Sequence, residues 1–205
     1  MTRTPPMALV AAALLAGVAA FAGLKAASPG PGAGALPAPL PKQATGSFAT
    51  ERLAVPDVTL IDQNAMPQRL KGPLTEGQIV VLNFSYTTCD TICPLGNVVL
   101  ADLQDLLPPE APVRLLSVTI DPATDTVELM RDTADAFGAG PRWTWLTGAP
   151  VDVARLTAAF DADYANIALH DPMFLVGRVD DGQFYRSLSM PSPQDLKKII
   201  DAMAY

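Results

Sequence analysis

The two cysteines of this 205-residue chain stand four positions apart, in Thr88-Cys89-Asp90-Thr91-Ile92-Cys93-Pro94, and its one histidine is His170. The Cys-x-x-x-Cys spacing puts two sulfurs about one helical turn apart, so both can face the same way. Pro94 suits a first helical position, where its missing N–H costs nothing, which makes Cys93 the expected N-cap. A thiol at that place feels unsatisfied backbone N–H groups and the positive end of the helix dipole, and both favour the thiolate. A thiolate is what metal binding and disulfide exchange require.

The bland alternatives are a structural disulfide and two buried free thiols. A staple across so short a loop adds little stability. The pair also sits on a strand–turn–helix corner, the place where α/β proteins present chemistry. His170 lies in Leu169-His170-Asp171-Pro172-Met173, just before an apolar run. A single histidine is more often a surface or capping residue than a ligand. Beside two thiolates, however, an imidazole completes a set that suits copper, with soft sulfur for Cu(I) and nitrogen to help hold Cu(II).

These residues need a scaffold, and periodicity supplies one. Strands are expected at 58–61, 78–86, 113–120, 143–146, 173–179 and 183–187. Asp62-Gln63-Asn64 reads as a turn, and Asp180-Asp181-Gly182 as the turn of a hairpin. Helices are expected at 94–107, stopped by Pro108-Pro109; at 126–137, capped near Asp125 or Thr126 and ended by Gly138; at 151–160; and from Ser192-Pro193 onward. Alternating strands and helices with an antiparallel last pair predict an α/β, thioredoxin-like fold, a mixed central sheet with helices on both faces. In that topology the loop carrying His170 lies beside the cysteine turn. Tyr86, Trp143 and Trp145 are candidates to shield the site, against the commoner reading of core aromatics.

The chain before this domain reads differently. Arg3 precedes an unbroken apolar run of 18 residues, Met7 to Leu24. Residues 1–27 are expected to be either a cleaved export signal or a retained N-terminal anchor, and the run's length favours the anchor. Either role puts the cysteines where disulfides persist. The Pro/Gly-rich stretch from Ser28 to Pro41 opens a spacer assigned to 28–47, and the globular domain is assigned to 48–205. Leaving out residues 1–27 removes Arg3 and Lys25, so 12 basic residues face 21 acidic ones, a net charge of −9. That balance argues against nucleic-acid binding and suits basic protein partners or cation capture.

Three ordered segments resemble the Sco/SenC family. They are Phe84 to Pro94 around the cysteines; Leu116-Ser117-Val118-Thr119-Ile120-Asp121-Pro122-Ala123-Thr124-Asp125-Thr126; and His170 ahead of the hairpin. The resemblance implies a thioredoxin-like copper protein, exported or tethered to the membrane, that helps assemble the binuclear CuA centre of cytochrome c oxidase. Family members hand over copper or reduce the target's cysteines beforehand. By position, Cys89, Cys93 and His170 are then the ligands of one copper per chain. The implied partners are a copper-accepting protein such as the CuA subunit and a thiol–disulfide reductant, and the implied location is the periplasmic face of the inner membrane. Asp121 and Asp125 match the family's acidic segment, with a turn and helix cap as the plainer reading. Asp90 departs from the proline that many members carry, and its charge is expected to oppose thiolate formation. Pro172 falls where thioredoxins keep a cis-proline, so it is expected to be cis or at least to line the site.

The reading that follows is copper carriage, with thiolates binding Cu(I) and His170 completing a three-coordinate site open to a partner. The rival is a metal-independent thiol–disulfide oxidoreductase in which Cys89 and Cys93 are the catalytic pair and His170 is dispensable. A peroxidase lacks the basic residues it would need beside Cys89. A redox sensor using the same dithiol is a third possibility. The histidine favours copper, since disulfide exchange does not need it.

Overall fold

A computed structural model of the chain describes residues 43–45 and 47–204. The leader at 1–27 and most of the 28–47 spacer lie outside the described residues. Within the described part, β5 (Ile79–Ser85) is a seven-residue strand buried at every position. It pairs in parallel with β6 (Val113–Thr119), which pairs in parallel with β7 (Trp143–Thr147). On its other side β5 pairs antiparallel with β8 (Phe174–Gly177), and β8 with β9 (Gln183–Ser187). Strands buried on both faces read as apolar runs, which is why β5 to β8 were legible from sequence; β9 is only partly buried and followed from its hairpin turn.

Alternate side chains of β5 serve opposite cores, as the two-residue period of a strand demands. Ile79 and Val81 join the core under α1 (Ile92–Leu106), α2 (Val127–Ala136) and α4 (Pro193–Met203). Val80, Leu82 and Phe84 join the core under α3 (Pro150–Ala159). Three helices on one face and one on the other give the mixed, two-sided sheet that was expected. Trp143 and Trp145 are both buried in the three-helix core, so they are packing residues. Thr126 caps α2 by accepting from Leu129 N, and Ser192 caps α4 by accepting from Asp195 N.

The sheet is wider than the sequence pattern showed. β2 (Phe48–Arg52) pairs with β9, and β1 (Gln43–Thr45), inside the stretch assigned to the spacer, pairs with β2. At the opposite edge, β3 (Thr59–Asp62) pairs with β7 and with β4 (Pro67–Arg69). β2 escaped detection because Glu51 stands at a buried place. Its carboxylate is made tolerable by Arg186 of β9, whose Nε donates to Glu51 Oε1 at 2.6 Å.

One local expectation is corrected. The first helix begins at Ile92, with Thr91 as its N-cap, so Cys93 is the second helical residue and Pro94 the third. The first four N–H groups of a helix have no intrahelical partner, so a proline is tolerated throughout the first turn and does not mark its first residue.

The β8–β9 hairpin turns through Gly182 at φ 69°, as Asp-Asp-Gly predicts. Gly177 at the end of β8 is the tighter constraint. A Cβ there would lie 2.3 Å from the Gln183 carbonyl oxygen and 2.4 Å from Phe184 Cδ1. Gly177→Ala is therefore expected to cost about 2 kcal/mol or more of stability, read as a fall in the urea midpoint. An unchanged midpoint would show that the hairpin yields to the added methyl.

Candidate metal centre

The site forms where β5 ends and α1 begins. Cys89 and Cys93 are 8% and 4% exposed, and neither is in a disulfide. Cys89 does not lie on the helix but caps it. Its Sγ accepts from the Cys93 backbone N–H at 3.4 Å and contacts Thr91 Oγ1 at 3.7 Å. Thr91, the formal N-cap, makes no side-chain cap of its own. A helix-end N–H thus does favour a thiolate, as expected, but at Cys89 rather than Cys93.

The two thiols differ sharply as a result. Burial pushes Cys89 up, but hydrogen bonds from the Cys93 side chain, the Cys93 backbone and Thr91 outweigh it and bring the thiol down to about 7. Burial, together with the Cys89 sulfur beside it, pushes Cys93 up to about 12. The expectation of Cys93 as the low-pKa thiol is thereby overturned. Asp90 is exposed, and what opposes ionisation of Cys89 is burial.

His170 is brought to this pair from 77 residues away. A 3₁₀ turn at Ile167–Leu169 delivers it, capped by the Asn166 side chain accepting from Ala168 N. His170 is 6% exposed. Its Nδ1 lies 2.8 Å from the Ile167 carbonyl oxygen, which can only accept, so Nδ1 carries the proton. That leaves Nε2 with its lone pair, facing Cys93 Sγ at 3.3 Å. Anchoring one ring nitrogen so that the other is presented is how metal-binding histidines are oriented.

Two tyrosines hold the ring edge-on. The centroid of Tyr86 is 5.4 Å from that of His170, and the centroid of Tyr164 is 5.7 Å away. Burial, then the hydrogen bond to Cys89, pushes the Tyr86 phenol up to about 12. Tyr86 was a candidate shield and is one. Tyr164 was missed, since it lies in an aperiodic, Asp-rich loop whose only signal is an aromatic six residues before the histidine. Pro172 lines the cleft between Cys93 and His170, together with Gly96, Met173 and Phe174.

In the acidic segment, the Asp125 carboxylate is a structural anchor. Asp125 is buried, and its carboxylate accepts from Thr87 N at 3.0 Å and from the hydroxyls of Thr87 and Thr119, each at 2.5 Å. Its backbone carbonyl accepts from Thr147 Oγ1 at 3.0 Å. It therefore ties the start of the cysteine turn to the ends of β6 and β7. Asp121 contributes a backbone turn, its carbonyl accepting from Thr124 N and Asp125 N.

The donor set fits a soft metal: two sulfurs, one already close to ionisation, and a neutral imidazole nitrogen. Among the described residues no three Cys, His, Asp or Glu side chains form a finished metal cage. Cys93 and His170 are in direct contact, and Cys89 joins them through the Cys93 N–H.

A thioredoxin-like fold with a dithiol–imidazole site at its first strand–helix corner defines the class of protein. The SCO1/SenC family model matches residues 51–198, and the chain belongs to that family. It is 32% identical over 108 residues to a putative copper-binding protein of Stutzerimonas stutzeri, a match covering 52% of this chain and 51% of that protein. The chain spans about half the length of the curated relatives it matches. Among solved structures, ScoI of Bradyrhizobium japonicum with copper bound superposes at a TM-score of 0.60, with 20% identity, over 72% of this chain and 98% of that one. BsSco, a member of the Sco family of cytochrome c oxidase assembly proteins studied for its disulfide switch, superposes at 0.63, with 22% identity, over 74% and 93%.

Two outcomes test this geometry. Alkylation of Cys89 by iodoacetamide in the reduced protein should accelerate as pH rises through about 7, and the midpoint should move upward in Cys93→Ala, which loses the thiol donor. A midpoint near 9, unmoved by Cys93→Ala, would refute the assignment of Cys89 as the activated thiol. Asp125→Ala should lower the unfolding free energy by about 3 kcal/mol, because it strands the buried Thr119 hydroxyl and the half-buried Thr87 N–H, as read by urea denaturation.

Proposed function

We propose that this protein carries copper, binding Cu(I) through Cys89, Cys93 and His170, and delivers it to the CuA centre of cytochrome c oxidase or a related copper enzyme. The observation that carries the reading is the His170 ring, pinned at Nδ1 so that Nε2 faces the Cys93 sulfur. Disulfide exchange has no use for an imidazole anchored in this way. The copper bound by ScoI and the copper-binding relative support the metal, and the oxidase-assembly family of BsSco supports the recipient. With three protein donors, a place remains for an incoming thiolate or imidazole of the acceptor, so copper can pass by ligand exchange. Oxidation of the pair to a disulfide removes both sulfur donors and couples loading to redox state.

The site is proposed to work outside the cytoplasm, on the periplasmic side, tethered by the apolar run at Met7–Leu24. Among the described residues no helix is long and apolar enough to cross a membrane, so the tether rests on that N-terminal run alone.

A second reading is favoured by the contrast between the thiols. One near 7 and a buried partner near 12 suit an attacking and a resolving cysteine. Such a reductase would prepare the acceptor's cysteines without metal.

Titration of the reduced, anaerobic protein with Cu(I) against a competing chelator separates the two. Carriage predicts one copper per chain, weakened about 10-fold or more by Cys89→Ser, Cys93→Ser and His170→Ala alike. Weak binding indifferent to His170→Ala, with rapid reduction of a test disulfide, would leave the reductase.

A further inference from the structure

Beside the cysteine cleft runs a groove of about 570 Å³ whose walls include Asp161, Tyr164, Met173, Arg186, Leu188 and Met190. Pro172 and Met173 line both the groove and the cleft that holds Cys93 and His170, so the two adjoin. The volume is that of a site for a few side chains rather than a whole domain. Leu188 at its rim is 58% exposed, and Leu169, adjacent to His170, is 76% exposed. Exposed leucines beside methionine and tyrosine are the composition of a recognition surface.

The groove's charge is one-sided. Arg186 is committed to Glu51, to the Phe160 carbonyl oxygen and to the Met173 sulfur. Asp161 and Asp171 also line the groove and make no ion pair among the described residues. Asp161 stands at φ 50°, two residues after α3, at a backbone position that aspartate tolerates better than most residues. An apolar floor with two uncompensated carboxylates, in a domain of strong negative charge, complements a segment that is apolar and basic.

We propose that this groove docks an apolar, cationic segment of the metal-accepting protein, placing the acceptor next to His170. The proposal rests on the copper-carrier reading. It also gives Tyr164 a second role, because the ring that forms a wall of the groove is the one packed edge-on against His170. A segment seated in the groove therefore touches a side chain that touches the ligand.

The test uses the full chain with its methionine methyls labelled with carbon-13, and two end-blocked heptapeptides, one alternating Leu with Lys and one alternating Leu with Glu. The Lys peptide should move the Met173 and Met190 methyl resonances. Its affinity should fall at least about fivefold in Asp161→Asn and in Leu188→Ser, and should fall further with added salt. The Glu peptide should leave both methyls in place. Equal binding of the two peptides, movement confined to methionines outside the groove, or indifference to both substitutions would overturn the proposal. Cu(I) titration of the same samples keeps the two ideas apart. Docking with no copper bound by the wild type sinks the carrier and leaves the groove, whereas copper binding without docking sinks the groove alone.

Discussion

A buried carboxylate that makes no ion pair among the described residues, Asp125, holds three strand ends together at the point where the site begins. Its oxygens accept from the backbone and hydroxyl of Thr87 and from Thr119, and its own carbonyl takes the Thr147 hydroxyl. An ionised carboxylate can only accept, and burial makes each missing donor costly. The chain leaving β5 therefore has one place to go, and two residues later it presents Cys89. Cys89 and Cys93 are themselves buried there, and Asp125 links the start of their turn to the sheet.

From that anchor the chemistry divides between two thiols of unequal character. Cys89 ends its approach with its sulfur over the first turn of α1, where it receives an N–H that no carbonyl can reach. Cys93, the second residue of the helix, is buried beneath it, keeps its proton and lies 3.3 Å from His170 Nε2. A single helix start thus makes one sulfur reactive and the other a reserve. The same arrangement serves a metal, which displaces the remaining proton, and a disulfide, in which the exposed-side sulfur attacks first. This is why the carrier and reductase readings share every residue except His170.

Much of this was legible in the chain. The β5 run, the Cys-x-x-x-Cys corner, the Asp-Pro segment and the Asp-Asp-Gly hairpin each follow from local chemistry: apolar continuity, cap residues and a turn that needs glycine at positive φ. The edge strands were not legible. β2 conceals a buried glutamate whose partner lies 135 residues away, and β4 holds only three residues. Tyr164 was invisible for a related reason, since an aromatic residue in an aperiodic loop acquires meaning only from the ring it packs against.

The helix start shows where local reasoning ends. Pro94 restricts α1 to beginning somewhere in its own first turn, and the chain alone could not choose among those residues. The choice is made by where the sulfur of Cys89 falls once Asp125 has placed the turn, and it decides which thiol ionises. Composition and spacing determined which atoms could take part: two sulfurs and one imidazole, the sulfurs on a strand–helix corner of a thioredoxin-like sheet. Only the tertiary structure decided their order of reactivity and brought His170 to them. Hydrogen bonds and burial set a thiol's proton affinity, and both depend on contacts between residues far apart in the chain.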